Sequence, residues 1–476
     1  MDLELFQTPG LGDSSYLLAS GREAVLVDPQ RDAWRFVEAA RERGWRIRHV
    51  LETHVHNDYL SGALETRAAT GAEIVAPARG AYEFEHRAVD EGDAVEIGGL
   101  RLTAMATPGH TLEHLAWLVT DLEGGRADPE PSAVFSGGSL LVGSVGRTDL
   151  LGPALTDALT RDQQRSLQRL AELPASTKVL PTHGAGSFCS AGPPGGQPTS
   201  TIAAEEFSNP GFRLADADPD LFRTEALAGL GRVPDYYAHM AAINRRGPRV
   251  LQKLTLPPPL DPAAFEAKAA AGVRIVDGRD RVAFAAGHIR GSLNIELGAS
   301  AFSGYVGWLV PFAEPVLLVL PDAPDALAEA TTELLRIGYE WVPGWLEGGV
   351  DAWAASGRPI ASYATTSMAA LAQERAGADG HDGNDGRGLL LDVRQPIEWR
   401  DEGVVPGSRQ IFVADLADRV GELPPGEPVT VFCRSGQRAS MAASILENAG
   451  REVRLVAKGG AGSWPEPLEP VGAAAE

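Results

Sequence analysis

The chain of 476 residues is 44% hydrophobic and 22% charged, with a formal net charge of −22, and its length calls for roughly two to four domains. The acidity disfavours nucleic acid and anionic membranes, which attract basic surfaces, and no apolar run reaches the roughly 18 residues of a membrane span. The start "MDLELFQTPG" has no signal-peptide pattern, and two cysteines, Cys189 and Cys433, cannot make a disulfide framework, so a reducing cytoplasm is the expected setting.

In chain order, "SSYLLASGREAVLVDP" gives two strand-like runs joined by a Ser-Gly-Arg turn, and "IRHVLETH" gives a third that ends at His54. Helical patterns follow at 63–70 and 155–172. The run "LTLPPPLDP" stops regular structure and reads as a linker, because proline fixes φ and has no N–H to donate. Residues 1–250 are thus expected to form one domain with a C-terminal extension. Two later segments, 261–360 and 366–476, repeat one another. "RIVDGRDRVAFAAGHIRGSLNI" (274–295) lines up with "LLLDVRQPIEWRDEGVVPGSRQI" (389–411): an apolar strand ends in Asp-x-Arg, an aromatic follows, then a Gly-Ser turn. A strand, loop and helix come after each, which predicts two parallel α/β domains made by duplication. Between them, "QERAGADGHDGNDGRG" reads as a mobile Gly/Asp-rich loop.

Histidines concentrate in the first segment. "THVHND" supplies His54, His56 and Asp58. "TPGHT" supplies His110 after a Pro-Gly turn, and "PTHGAG" supplies His183 after another strand. Imidazoles and a carboxylate gathered at strand ends point to a metal site. Near the C-terminus, "VTVFCRSGQRAS" sets Cys433 at the end of an apolar strand, just before a helix. Helix N-terminal N–H groups, Arg434 and Arg438 would each favour the thiolate and so make Cys433 a nucleophile.

Taken in order, "THVHND", "TPGHT", "FSGGSLL" and "PTHGAG" resemble the metallo-β-lactamase superfamily, and Cys-x-x-Gly-x-Arg with its upstream "LLDVRQPIEWRDEGVVPGS" resembles rhodanese. The combination looks like persulfide dioxygenases fused to rhodanese domains, with "GRTDL" (146–150) in support. The resemblance implies an N-terminal αββα sandwich followed by two rhodanese-like, doubly wound parallel α/β domains. In dinuclear members a further histidine and an aspartate complete a second metal position. Here Tyr59 and Gly138 stand there, so one divalent metal per chain is expected, Fe(II) or alternatively Zn. The resemblance assigns His54 and His110 to it. A carboxylate is missing at Gly138, and His56 or Asp58 could complete the set. His183 is left with Asp58 at the depleted second position. An aspartate restored at Gly138 would be expected to strengthen iron binding, unless that glycine has a positive φ.

Arg147 matches a family arginine beside the thiol co-substrate; a structural ion pair with Asp149 is the alternative. Cys189 could lie near the metal mouth or simply be buried. In the first repeat Leu320 or Pro321 falls opposite Cys433, and Asp322 and Asp325 replace its arginines, so that repeat is expected to be non-catalytic. The function so implied is oxidation of a low-molecular-weight persulfide with O₂ to sulfite, coupled to sulfur transfer through Cys433, with a persulfide or thiosulfate as substrate and a homo-oligomeric assembly. Alternatives are a glyoxalase II-like thioester hydrolase and a sulfur carrier in which only Cys433 works.

Overall fold

The computed structural model describes the chain except residues 124–128, 185, 192–195, 229, 299–301, 377–387 and 472–476. Most of the Gly/Asp-rich loop expected to be mobile therefore lies outside the described residues. Two compact units form, residues 1–254 with 332–338 and residues 255–331 with 339–476.

The first unit holds two six-stranded sheets. One runs in chain order, Asp2–Thr8, Asp13–Ser20, Glu23–Val27, Arg46–Leu51, Glu73–Pro77 and Arg87–Val89. The other runs in reverse order, Ser200–Thr201, Lys178–Pro181, Pro131–Gly137, Leu115–Asp121, Leu100–Ala106 and Ala94–Ile97. Side chains alternate between the faces of a strand, and in the central strands both faces are apolar. Tyr16, Leu18, Val25 and Val27 face the second sheet and pack with Leu102, Trp117 and Phe135. Leu17, Ala19, Ala24 and Leu26 face outward onto Phe36 and Ala40 of the helix Trp34–Glu42 and Ala63 of the helix Ala63–Thr70. The outer face of the second sheet, through Ala116, Val134 and Val179, meets Leu167 and Leu170 of the helix Pro153–Ala171. Helix, sheet, sheet, helix is thus the layering, as the αββα expectation had it.

The second unit holds two five-stranded sheets, each wholly parallel. Their orders match: Pro259–Leu260, Gly344–Leu346, Val316–Val319, Arg274–Asp277, Ser292–Asn294 in one, and Ala364–Ser367, Val453–Lys458, Val429–Phe432, Leu389–Asp392, Arg409–Gln410 in the other. The end of the proline run is not the pure linker its composition suggested. Pro259 and Leu260 pair as a two-residue edge strand, a place that tolerates proline because one side of an edge strand needs no donor. Among the described residues no helix is long and apolar enough to cross a membrane.

Candidate metal centre and cysteine loop

Strand ends of both sheets meet along one edge of the first unit. His54, His56 and Asp58 follow the strand Arg46–Leu51, His110 follows Leu100–Ala106, Gly138 follows Pro131–Gly137 and His183 follows Lys178–Pro181. The edge is closed by a bridge between Asp13 and His183, with Ser14 N–H donating to Thr182 O at 2.7 Å. All five predicted ligands are buried there. The rings of His54, His110 and His183 form a near-equilateral triangle, with centroids 5.1, 5.3 and 5.4 Å apart.

Each of these rings is oriented by a bond at Nδ1. His54 Nδ1 meets Thr53 Oγ1 at 2.7 Å, and Thr53 Oγ1 donates to Asp28 Oδ2 at 2.8 Å. His110 Nδ1 donates to Arg147 O at 2.9 Å, and His183 Nδ1 meets Asp13 Oδ1 at 2.8 Å. Such bonds turn the other ring nitrogen toward a metal. His54 Nε2 and His183 Nε2 are 3.3 Å apart. Two nitrogens each about 2.05 Å from one ion sit about 3.3 Å apart at a tetrahedral angle. Both Asp58 oxygens, Asp13 Oδ2 and His56 Nδ1 are buried with no hydrogen-bond partner, an arrangement that costs free energy unless a cation is shared. The donor set therefore fits a bound divalent metal.

Three triads have donor atoms close enough to hold an ion: His54, His110 and His183; Asp28, His54 and His56; His56, Asp58 and His183. Any two of them share a histidine. His54 and His183 each have one nitrogen already engaged, so neither can serve two of these triads at once. The third imidazole within reach of both His54 and His110 is His183, and His56 falls in the two neighbouring triads. His56 Nε2 is turned away, 3.1 Å from Glu52 Oε2 and 3.0 Å from the Tyr59 hydroxyl. Tyr59 thus replaces a ligand with a hydrogen bond that restrains its neighbour.

Gly138 is also clarified. Its φ is not positive; Gly137 has that conformation, at 56°. A Cβ on Gly138 would land on the His110 ring, 2.8 Å from Nε2. Glycine here makes room for His110, so an added aspartate displaces a ligand instead of supplying one. This reverses the expectation for Gly138→Asp.

Burial holds His54 well below its usual value and His110 down at about 3, so both are neutral, as ligands must be. Burial acts the same way on His183, but the carboxylates of Asp58 and Asp13 outweigh it and raise the ring to about 10. Burial would lift Asp58 too, yet His183 holds it below the carboxylate range. Asp13 is pushed up to about 8 by burial and by Asp58. Two carboxylates aimed at the cluster call for a cation, and either a proton on His183 or a divalent ion satisfies them.

Arg147 does not face the cluster with a free fork. Its Nε and Nη2 bind Asp149 at 2.7 Å each, Nη2 also reaches Gly231 O at 2.8 Å, and Nη1 reaches Phe188 O at 3.1 Å. The ion-pair alternative is the one this geometry carries, and the useful atom of Arg147 is its backbone carbonyl, on His110. Cys189 is fully buried, and burial, with Asp58 nearby, pushes its thiol well above the usual value.

In the second unit Cys433 is buried, one residue past the strand Val429–Phe432. Gly436, with φ 94°, caps the helix Gln437–Asn448 and donates its N–H to Cys433 Sγ at 3.1 Å. A Cβ at Gly436 would meet Ala457 O at 2.8 Å, so both conformation and space require glycine there. The two arginines divide. Arg434 is 67% exposed, 3.6 Å from Glu402, and Arg438 is half-buried in a two-pronged pair with Glu398. Register places Val319 opposite Asp277 and Phe432 opposite Asp392, so Leu320, not Pro321, is the counterpart of Cys433.

Sequence spacing did not single out Glu52, Asp13, Asp28 or Asn244. Asn244 lies in the helix Tyr237–Arg246, and its amide takes His56 O at 2.9 Å, Tyr59 O at 2.8 Å and Ser61 N–H at 2.9 Å. It fixes the backbone of the metal loop from more than 180 residues away along the chain.

Comparison with known proteins agrees with this layout. Residues 8–183 match the Metallo-beta-lactamase superfamily, and residues 261–356 and 373–465 each match the Rhodanese-like domain. A hydroxyacylglutathione hydrolase of Methylococcus capsulatus is 37% identical over 191 residues, which are 38% of this chain and 66% of that one. This chain thus spans about two thirds of the length of that relative. A metallo-beta-lactamase structure from Staphylococcus aureus covers 73% of this chain and 98% of its own, with 27% identity and a TM-score of 0.63. The structure of ETHE1 from Myxococcus xanthus covers 52% of this chain and 98% of its own, with 28% identity and a TM-score of 0.44. The chain belongs to the metallo-β-lactamase superfamily through its N-terminal domain, which two rhodanese-like domains follow.

Proposed function

We propose that the protein oxidises a low-molecular-weight thiol persulfide with O₂ to sulfite at one metal ion, Fe(II), held by His54, His110 and His183, and that Cys433 carries sulfane sulfur in a linked transfer. The reaction balances as RSSH + O₂ + H₂O → RSH + SO₃²⁻ + 2H⁺. The observation that carries the reading is the pairing, on one chain, of a histidine cluster able to hold a metal with a cysteine loop that brings an N–H onto the sulfur. A sulfur carrier fused to a metal site points to a sulfur compound as the metal domain's substrate.

A bound Fe(II) with open coordination positions supplies the oxygen chemistry. The chain's own groups prepare for it. Thr53, Arg147 O and Asp13 hold the three rings by their Nδ1 atoms. Asp58, buried and ionised beside His183, offsets the positive charge of the cluster. Tyr59 and Glu52 keep His56 away from a second ion.

Thioester hydrolysis is the second reading, favoured by the likeness to a hydroxyacylglutathione hydrolase; a sulfur carrier with an inactive metal domain is the third. Elemental analysis with O₂-uptake and thioester assays separates them. The expected result is one iron per chain and sulfite formed from a small persulfide. His183→Ala should lose the metal as fully as His54→Ala and His110→Ala. Two tightly held ions with thioester turnover would select the hydrolase, and a metal-free, O₂-inert protein the carrier.

A further inference from the structure

The strand Ser292–Asn294 of the thiol-less repeat is hydrogen-bonded to the helix Gln437–Asn448, which follows the Cys433 loop. Ser440, Ser444 and Asn448 are four residues apart and share one face of that helix. Asn448 Nδ2 donates to Ser292 O at 3.1 Å, and its Oδ1 accepts from Gly291 N–H at 3.1 Å. The Asn294 N–H donates to Ser444 Oγ at 3.2 Å, and Ser440 Oγ donates to Asn294 Oδ1. Asn294 and both serines are buried. Asn294 is held from behind by its own repeat, its Nδ2 donating to Asp277 O at 3.0 Å and Arg279 O at 2.9 Å. Register pairs Asn294 with Asp277 and Gln410 with Asp392, so Gln410 is its counterpart in the other repeat. The Gln410 amide stays local, donating to Ser408 O at 2.6 Å and Ser408 Oγ at 2.9 Å.

Ser440 stands four residues past Gly436 and donates its N–H to Gly436 O at 3.0 Å, while Gly436 N–H donates to Cys433 Sγ at 3.1 Å. A serine inside a helix commonly turns its hydroxyl onto a carbonyl three or four residues back, which bends the helix. Ser444 does this, its Oγ donating to Met441 O at 2.7 Å. For Ser440 the carbonyl four back is that of Gly436, and the hydroxyl goes to Asn294 instead. The other end of the loop is fixed within the catalytic repeat, by Ala461 N–H on Cys433 O at 3.0 Å.

We propose that Asn294 is a positioning residue for Cys433. By drawing the Ser440 hydroxyl away from the Gly436 carbonyl, it keeps the first turn of the helix straight and the Gly436 N–H on the sulfur. Asn294 touches no reacting atom and acts through Ser440. The inference deepens the sulfurtransfer reading above and rests on it for what the placed sulfur does. The repeat that lost its thiol thus keeps a part in the chemistry of the other.

The test uses the full-length chain and follows iodoacetamide alkylation of Cys433 across pH by mass spectrometry. Asn294→Ala frees the Ser440 hydroxyl to take the Gly436 carbonyl. The pH midpoint of alkylation should then rise by about half a unit to one unit, a fraction of one hydrogen bond to a charged atom. Loading by thiosulfate should slow by about three- to tenfold. Adding Ser440→Ala removes the competing hydroxyl and should return both readings to wild type. Asn448→Ala opens the far end of the same seam, so it should lower the thermal midpoint and leave the alkylation profile alone. Asn294→Leu, close to asparagine in volume, replaces Asn294→Ala if that variant does not fold. An unmoved alkylation midpoint in the folded Asn294 variant overturns the proposal. So does a shift that persists when Ser440→Ala is added, since lost packing would then be the cause, and so does an equal shift in Asn448→Ala. Cys433→Ser, run alongside, tests the reading beneath: thiosulfate-to-cyanide transfer that survives it removes the sulfurtransfer assignment, whereas the alkylation result decides the role of Asn294 alone.

Discussion

In each rhodanese-like repeat a strand ends on a buried aspartate that grips the arginine two residues on. Asp277 takes Arg279 through Nε and Nη2 at 2.7–3.1 Å, and Asp392 takes Arg394 through the same atoms at 2.7–3.1 Å. The guanidinium then reaches a glycine carbonyl, Gly287 at 2.9 Å and Gly403 at 2.7 Å. Beyond this shared frame the next loop differs. Residues 433–436 turn once and bring an N–H onto a sulfur. Residues 320–325 read Leu-Pro-Asp-Ala-Pro-Asp before the helix that starts at Ala326. Two of those residues have no N–H to give, and two carry negative charge. The frame specifies the fold and the loop specifies the chemistry, so one copy could lose its site without losing its sheet.

The strongest way to break this comparison is to move the thiol. Cys433→Ser should lower thiosulfate-to-cyanide transfer about a thousandfold or more, as removal of a nucleophile does. Adding Leu320→Cys to that variant should restore nothing, because the loop offers a thiolate no cation, two carboxylates and two prolines without an N–H. Transfer recovered in the double variant would mean that the frame alone suffices and the loop is incidental.

The frame itself was legible in the sequence, because Asp-x-Arg followed by an aromatic and Gly-Ser recurs in both copies, and the strands beside it are short apolar runs. In the first unit the helix 63–70 was legible to the residue, and the gathering of histidines was legible because strand ends carry them. The choice among those histidines was not. His183 joins His54 because Asp13, 170 residues earlier, takes its Nδ1, and Glu52 and Tyr59 fix the His56 ring by its Nε2. Such pairings arise when two sheets close at one edge, and no local spacing announces them. Gly138 misled for the same reason: what matters is the His110 ring beside it, from another strand.

A finer test compares the two arginines of the frame. Arg394 and Asp392 have fully buried side chains, whereas Arg279 keeps 16% exposure. Truncating one partner of a buried pair leaves an uncompensated charge and costs about 3–5 kcal/mol. Arg394→Ala should therefore lower the thermal midpoint more than Arg279→Ala, where water already borders the site and can hydrate Asp277. Equal losses would show that the two copies bear the same load despite their different exposure.

The smallest expected effect concerns a pair that only the second repeat has. With Phe284 aligned on Trp399, Ala283 occupies the place of Glu398, so the first repeat has no counterpart to the Glu398–Arg438 pair. Burial would raise the Glu398 carboxyl, but Arg438 outweighs it and holds the group below its usual value. A carboxylate depressed in the folded chain contributes stability above its unfolded value of about 4.3. That contribution fades as pH falls through the lower folded value. Thermal unfolding of the wild type and Glu398→Gln should thus differ near pH 7, by about 1 kcal/mol for a pair that water still reaches in part. The two should converge in acid. Hydrogen exchange should place the difference in the helix Gln437–Asn448, where Arg438 sits, and leave the strand Arg274–Asp277 unchanged. A difference that persists undiminished at pH 3 would mean that Glu398 acts through packing instead of charge, and the acid response would then belong to the aspartates both repeats share.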